Sequence, residues 1–594
     1  MLSLARTWTK LQPTVLSASS RRPFAWVRRQ FRSSEIWFIG LAIVVGAAAG
    51  LLAVVQAGLA HSLQARLYGF SLDDRLSALP EIAPITVLWL PAGGAALSAL
   101  TWITLKWRGK RLMDVVEANA LYGGILSLRD SLAICLQTLV SNGCGGSVGL
   151  EAAYAQAGGA VASQFGQRLK LRRTDLRTLV GAGAGAAIGA AFGAPLAGAF
   201  YAFEVVIGSY APVMIAPVAA ACLTSVLVAR MLGSAPYSIE IQAATPPDAI
   251  GYLLYSVLGV ICAGVGIVLM RLVALAERGV QSTGLPTLLR PIVGGFLLAG
   301  LAIVSPQVLS SGHGALHADL AVQLGIGALG LIFLLKACAS VTALAFGFRG
   351  GLFFAALFLG SLLGQVFAQL TVMTGAPLGL ERENAALVGM GALAVAVVGG
   401  PLTMSFLVLE TTGDFGIAAA TLAASLVAST IVRERFGYSL STWRMHLRGE
   451  TIRSARDVGW VRTLTAGRLM RTNVATLADR EPVSVFRRQY PLGSQSGAVL
   501  IDDAQRYAGI VFATAAFQDD VDPTQPLRLL AVNSDVWLTP EMNIQQVMAA
   551  FQAAETDELA VVGPDGGVLG MVSELYVTRR YAKELDHVQQ SMFG

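Results

Sequence analysis

Stretches without a single charged residue follow one another through most of this chain: 36–65, 82–105, 131–150, 152–167, 178–203, 205–229, 249–270, 291–318, 320–335, 350–380, 385–409 and 415–432. A bilayer core about 30 Å thick takes roughly 20 apolar residues per helix. Several runs fit one span, 350–380 is longer, and others are too short or are broken by Gly and Pro. Backbone broken at membrane depth survives only inside protein or beside a cavity. The pattern therefore favours a transporter or channel over a simple anchor. Composition agrees: 54% of residues are apolar and 13% charged, with a mean hydropathy of +0.62, where soluble domains carry about 25% charge. Disordered, collagenous and disulfide-stapled classes are excluded. Cys135, Cys144, Cys222, Cys262 and Cys338 all fall in the apolar part. They read as small buried hydrophobes, and no spacing points to a metal site or cofactor.

Charge divides the chain. Of 43 basic and 37 acidic residues, 30 lie beyond residue 450. The reading is a basic segment 1–34, a membrane part 35–449 and a soluble part 450–594. The first segment holds seven Lys/Arg and no acid, which the positive-inside rule assigns to the cytoplasm; a transit peptide would share that composition. The net charge of +6 reads as basic cytoplasmic loops rather than nucleic-acid binding, since no basic cluster joins an aromatic platform. The expected location is the plasma membrane, with both termini cytoplasmic.

The membrane part repeats itself. Gly193-Ala-Pro-Leu-Ala-Gly-Ala-Phe-Tyr-Ala-Phe-Glu204 recurs as Gly399-Gly-Pro-Leu-Thr-Met-Ser-Phe-Leu-Val-Leu-Glu410, an offset of 206 that also places Gly183 and Gly185 on Gly389 and Gly391. At an offset of 202, Gly149, Leu150, Ala153 and Gly158 fall on Gly351, Leu352, Ala355 and Gly360. The two copies span about 82–232 and 288–435. Arg168, Lys170, Arg172, Arg173 and Arg177 follow the first copy's helix, whereas the matching loop near 373–384 has only Arg382 against Glu381 and Glu383. Opposite charge bias predicts opposite topology. Inverted repeats place a substrate site near the midplane, where discontinuous helices meet.

Glu151 is the candidate centre. It is the only acid between Asp130 and Asp175 and stands where Gly145-Gly-Ser-Val-Gly149 enters an apolar helix. A charge at membrane depth costs at least about 2.5–3.5 kcal/mol. A helix N-terminus offsets that cost, because its dipole and unpaired N–H groups favour an anion. One reading is a structural carboxylate satisfied by backbone. The other is a plug that competes with a permeating anion for the same donors, and this predicts gating by pH.

Gly149-Leu-Glu-Ala-Ala153 with Gln156 and Gly158-Gly159 resembles the Gly-Arg/Lys-Glu-Gly-Pro segment of the CLC family of chloride channels and chloride/proton exchangers. Gly350-Gly-Leu-Phe-Phe-Ala355 resembles that family's Gly-Gly-Ile/Val-Phe-Ala-Pro segment, and the 193–204 and 389–412 stretches resemble its two Pro-Leu-Ala/Thr-Gly helices. The resemblance covers about 36–449. It implies an all-α polytopic fold with an inverted-topology repeat, a homodimer with one pore per subunit, and transport of chloride or another small monovalent anion, with protons in the exchangers. It implies that Glu151 gates, and that Gly149, Leu150, Gly351, Leu352 and Phe353 lie at the anion site, the N–H groups of the last two facing the central anion. Three departures stand out. The family's anion-contacting serine is missing, with Lys110 or Arg111 near its place on the anion path. Ser441 occupies the position of its anion-contacting tyrosine, with Tyr438 nearby but out of register. The inner proton-relay glutamate of the exchangers is Val205 here. Selectivity among halides and nitrate is thereby left open, and channel-like or weakly proton-coupled conduction is favoured over strict exchange.

After 450, short strands alternate with amphipathic helices, and two tandem β-α-β-β-α units resembling a CBS pair are expected. The Gly-h-h-Ser/Thr-x-x-Asp ending that would hold a ribose is Gly509-Ile-Val-Phe-Ala-Thr-Ala515 in one unit and Gly570-Met-Val-Ser-Glu-Leu-Tyr576 in the other. Both aspartates are absent, so a structural or dimerising tail is expected rather than a nucleotide sensor. His313 and Lys336 are read as loop and helix-end residues that could also line a vestibule. A membrane-embedded enzyme would need a nucleophile–base pair within the spans, and none of the five His has a Ser or Cys at recognisable spacing. The chain is read as no enzyme. A receptor whose membrane part only senses is a further rival, which anion flux would separate.

Overall fold

The computed structural model describes residues 34–108, 112–235, 237–239, 247–373, 380–446, 464–491, 493 and 497–580. The chain forms two compact units, Met1–Asp457 and Val458–Gly594.

Helices of the first unit, in chain order, are α1 (Glu35–Tyr68), α2 (Trp89–Arg108), α3 (Val115–Tyr122), α4 (Leu128–Gly143), α5 (Glu151–Arg168), α6 (Arg173–Phe192), α7 (Pro195–Tyr201), α8 (Pro212–Met231), α9 (Ala249–Ser282), α10 (Arg290–Val304), α11 (His313–Ala321), α12 (Ile326–Ala345), α13 (Phe353–Met373), α14 (Arg382–Val398), α15 (Pro401–Thr412), α16 (Phe415–Arg435) and α17 (Leu440–His446). A π-helical turn, Ala202–Ile207, continues α7. Seven stretches among the described residues are long and apolar enough to cross a bilayer. Their outward side chains, such as Leu223 and Leu227 on α8 and Leu253 and Val257 on α9, are exposed, and hydrocarbon would solvate them.

Helix ends follow from local chemistry. Asp248 and Asp414 accept hydrogen bonds from the Gly251 and Ile417 N–H groups at 2.7 and 2.8 Å, capping α9 and α16. Proline begins α7, α8 and α15, where its missing N–H costs nothing. Gly193 ends α6 at φ 67° and Gly400 precedes α15 at φ 81°, conformations that a side chain would strain. The uncharged runs mark helices imperfectly. The 320–335 run suggests a helix ending before Lys336, yet α12 continues through it, because Lys336 Nζ donates to the carbonyls of Val308 at 3.1 Å and Ser310 at 2.8 Å. Lys336 is thus a fully buried mid-helix residue, not the helix-end residue that the sequence suggests.

The repeat is visible as packing. A Cβ on Gly158 would collide with the Gly183 carbonyl, and one on Gly183 with the Gly158 carbonyl, so α5 and α6 cross backbone to backbone. Gly360 and Gly389 make the same reciprocal approach between α13 and α14. Phe200 stacks on Phe406 at 4.5 Å, joining equivalent positions of the two copies. Where the copies meet, Gly149 and Gly351 form an antiparallel bridge, the direction that an inverted repeat requires.

The second unit is α/β. Strands β1 (Thr476–Ala478), β2 (Gly497–Ile501) and β3 (Tyr507–Phe512) form a sheet in the order β1-β2-β3, and β4 (Glu558–Val562) pairs with β5 (Val568–Ser573). β1 runs parallel to β2, crossing over through a helix at Val483–Gln489, and both hairpins are antiparallel. In the β2–β3 turn, backbone N–H groups of Arg506 and Ala504 hold the Asp502 carboxyl below its ordinary range. The second β-α-β-β unit is reduced at its start: its first strand is a single parallel bridge, Leu538 to Val561, ahead of the helix Ile544–Ala554. Val499, Ile510, Ala560, Val562 and Met571 pack the sheets together.

The glycine crossings generate a test. Gly389→Ala is expected to destabilise the protein by about 1–3 kcal/mol through overpacking. Gly300→Ala, with open space around it, should be neutral or slightly stabilising. Melting of the purified protein in detergent measures both.

Candidate functional site

Residues 144–149 reach the site as a turn and irregular segment tied down by hydrogen bonds from several elements. The Tyr68 hydroxyl donates to the Cys144 carbonyl at 2.9 Å and Asn142 Nδ2 to the Val148 carbonyl at 2.8 Å. The Ser310 N–H donates to the Gly145 carbonyl at 2.9 Å, and the Ser147 and Ser340 hydroxyls pair at 3.1 Å. Gly149 N–H then donates to the Gly351 carbonyl at 2.9 Å, with the return bond at 3.4 Å. This bridge sets the first turns of α5 and α13 against each other.

Glu151 opens α5 and is 3% exposed. Its carboxylate folds back over Gly149, where no side chain would fit beside it. It faces its own backbone N–H and that of Phe354, one residue beyond the pair that the sequence suggests would face an anion. Oε2 has no hydrogen-bond partner among the described residues. A single carboxylate thus lies between two helix N-termini with one oxygen idle. Leu352 and Phe353 are buried at the start of α13, and Leu150 is half-buried before α5.

The glutamates that end the two repeated motifs are occupied. Glu410 Oε1 and Oε2 accept from the Leu196 and Ala197 N–H groups at 2.9 and 2.8 Å, capping α7. Glu204 accepts from the Leu402 and Thr403 N–H groups at 3.1 and 2.8 Å and from the Thr403 hydroxyl at 2.6 Å, capping α15. Each copy's terminal glutamate therefore caps the other copy's helix. Val205 is half-buried in the π-helical turn, which Asn119 Nδ2 and the Arg177 guanidinium hold by the carbonyls of Val206 and Ile207.

Ser441 is half-buried on α17; α17 packs on α9 and α14 and is tied to α9 by the Arg444–Glu277 ion pair. Tyr438 is drawn aside: its hydroxyl pairs with His446 Nδ1 at 3.1 Å and its ring stacks on the same imidazole at 4.5 Å. Lys110 and Arg111 lie outside the described residues.

Three residues here escaped the sequence reading. Tyr201, 7% exposed, sets its ring 6.2 Å from Phe353. Tyr154, one turn after Glu151, and Arg75, from the loop after α1, line a cavity of about 300 Å³ together with Leu150, His313 and Ser310. Helical spacing from Glu151 could have found Tyr154. Arg75 gave no signal, because in sequence it is one charge in an Asp-Asp-Arg loop.

Residues 93–433 match the model of the voltage gated chloride channel family. The chain belongs to that family. A putative chloride channel protein, ClcB-like, from Ralstonia nicotianae is 28% identical over 393 residues, covering 64% of this chain and 90% of that one. The voltage-gated ClC-type chloride channel ClcB of Escherichia coli is 26% identical over 411 residues, 66% of this chain and 95% of that one. Among solved structures, a slow cyanobacterial Cl⁻/H⁺ antiporter superposes with a TM-score of 0.59 at 22% identity, covering 69% of this chain and 97% of that one. The polytopic helical fold is that of the CLC family, which includes chloride channels and transporters.

The reciprocal caps yield a prediction. Glu410→Ala should cost about 1–2 kcal/mol, and Glu410→Gln less, since its amide oxygen still accepts one N–H. Chemical unfolding in detergent reads the difference.

Proposed function

We propose that the chain conducts a small monovalent anion, chloride foremost, through a pore plugged by Glu151, passively or with weak coupling to protons. The observation that carries this reading is the position of the Glu151 carboxylate between the N-termini of α5 and α13 with Oε2 unpartnered. Helix N-termini present N–H donors and positive dipole ends to any anion in reach. A halide and a carboxylate compete for that place. Protonation removes the carboxylate's charge and its claim on the donors, so flux rises as pH falls.

Val205 supports weak coupling. A proton crossing from the inner side needs a titratable group to carry it, and valine offers none. Glu204 next to it is committed to three donors on α15. The second reading is a chloride/proton antiporter with an inner proton path that bypasses Val205; the fold shared with a Cl⁻/H⁺ antiporter favours it.

On this reading the chain is a transport protein and not an enzyme. It resides in the plasma membrane with both termini cytoplasmic, pairs as a homodimer with one pore per subunit, and carries a tail that serves assembly rather than nucleotide sensing.

The test is anion efflux from proteoliposomes with Glu151→Gln beside the unmodified protein. Wild-type flux should rise several-fold from neutral to acidic pH, while the variant conducts throughout with a flat profile. A variant that conducts nothing overturns the gate. A reversal potential that follows a pH gradient with fixed stoichiometry overturns weak coupling and selects the antiporter.

A further inference from the structure

Val205 carries no proton, so coupling of any strength needs a titratable group elsewhere on the inner side. The segment that leads into α3 supplies one. Asp114 is half-buried and caps α3, its Oδ1 accepting the Glu117 N–H at 2.8 Å. The segment is tied to α5: Gln156 Nε2 donates to the Met113 carbonyl at 3.4 Å, and Val115 fills the space over Gly159. On its other side α3 packs on the π-helical turn, where Asn119 Nδ2 donates to the Val206 carbonyl at 2.9 Å. Gln156 stands five residues after Glu151, roughly 7.5 Å along the helix axis. That direction leads to the basic loop 168–177, the cytoplasmic end of α5 by the positive-inside rule. Asp114 therefore lies inward of Glu151.

Tyr201 stands between the two acids. It ends α7, directly before the π-helical turn on which α3 packs. Its ring lies 6.2 Å from that of Phe353, the first residue of α13, and the N–H of the next residue, Phe354, faces the Glu151 carboxylate. Tyr201 sits in the fields of both Asp114 and Glu151. A phenol hydroxyl donates one hydrogen bond while it accepts others, so it can hand on a proton without ionising. Other charged groups around α3 have structural work. Glu204 caps α15, and Arg173 and Arg177 hold the carbonyls of Leu121 and Ile207. Glu117, on the first turn of α3, is the rival donor.

We propose that Asp114 and Tyr201 form the inner proton path to Glu151, doing what Val205 cannot. The inference rests on the reading of Glu151 as a titratable gate. The step balances. A proton on the Asp114 carboxyl passes to Tyr201 Oη as the Tyr201 hydroxyl proton passes to the Glu151 carboxylate, with a water bridging either link where the groups do not touch. Tyr201 stays neutral, and its hydroxyl turns back to reset the path. Asp114 is left as the carboxylate and takes its next proton from the inner solution. Oδ1 remains on the α3 cap, so Oδ2 is the oxygen that carries the proton.

The experiment measures proton uptake and chloride efflux together, in proteoliposomes of the full-length protein loaded with chloride and diluted into gluconate. Potassium and valinomycin clamp the membrane potential near zero. The unmodified protein should take up protons as chloride leaves. Tyr201→Phe keeps the ring, and Asp114→Asn keeps an oxygen for the cap. Each should lower proton uptake to that of protein-free vesicles while chloride still leaves, and Asp114→Glu should retain it. Uptake that survives either substitution, or that vanishes only in Glu117→Gln, overturns the path. Loss of chloride efflux in both variants also overturns it, since the residues would then serve the anion. An unmodified protein that moves no protons overturns the path and leaves the gate standing. A Glu151→Gln that conducts no chloride counts against the gate instead.

Discussion

A helix that starts inside an apolar core exposes N–H groups that water cannot reach, and each unsatisfied one is costly. Among the described residues, α5, α7, α13 and α15 start this way. Two are closed permanently. Glu410 caps α7 and Glu204 caps α15, each reaching across the repeat, so the two copies hold one another's broken ends. The remaining two starts, α5 and α13, meet head to head and share one carboxylate, that of Glu151. Four starts are thus served by three carboxylates, and the proposed anion site is the place where one carboxylate serves two.

That geometry depends on close backbone approach. Glycine at 158, 183, 360 and 389 lets α5 lie on α6 and α13 on α14 with nothing between their peptide groups. Larger residues would push the helices apart and separate the Gly149–Gly351 bridge that aligns the two N-termini. In a bilayer, where lipid tails are as apolar as the helices, such small-residue crossings are a principal source of helix cohesion. The glycines and the shared carboxylate are thus one design: packing fixes where the free donors point.

These features were legible because they are local and repeated. The offsets of 202 and 206 carry the crossing glycines and both capping glutamates. The lone acid at 151 stands out against an uncharged background. The tail's strands announce themselves through alternation and the Gly-Pro-Asp-Gly-Gly turn at 563–567. What stayed hidden depends on tertiary placement. Lys336 interrupts an apolar run, and only the carbonyls of Val308 and Ser310, far away in sequence, explain why the helix passes through it. Arg75 comes to the cavity from a loop that is separated from Glu151 by three helices, α2, α3 and α4. Tyr438 looks like a displaced pore tyrosine, but its neighbours Trp443 and His446 draw it into an aromatic cluster of their own.

Glu204 and Glu151 differ in how firmly their surroundings hold them, and the proposed gate rests on that difference. Glu204 accepts two backbone N–H groups and a hydroxyl. Hydrogen bonds to a charged group are worth about 1.5–3 kcal/mol each, so displacing that side chain forfeits several of them while leaving a buried charge uncompensated. Glu151 faces two N–H groups, its Oε2 has no partner among the described residues, and a cavity lined by Arg75 reaches its neighbours Leu150 and Tyr154. On the proposed reading its withdrawal lets another negative ion fill the same donors, so the net change is small. A side chain can act as a gate only where losing it is nearly neutral, and among these three carboxylates the proposed reading brings Glu151 to that condition.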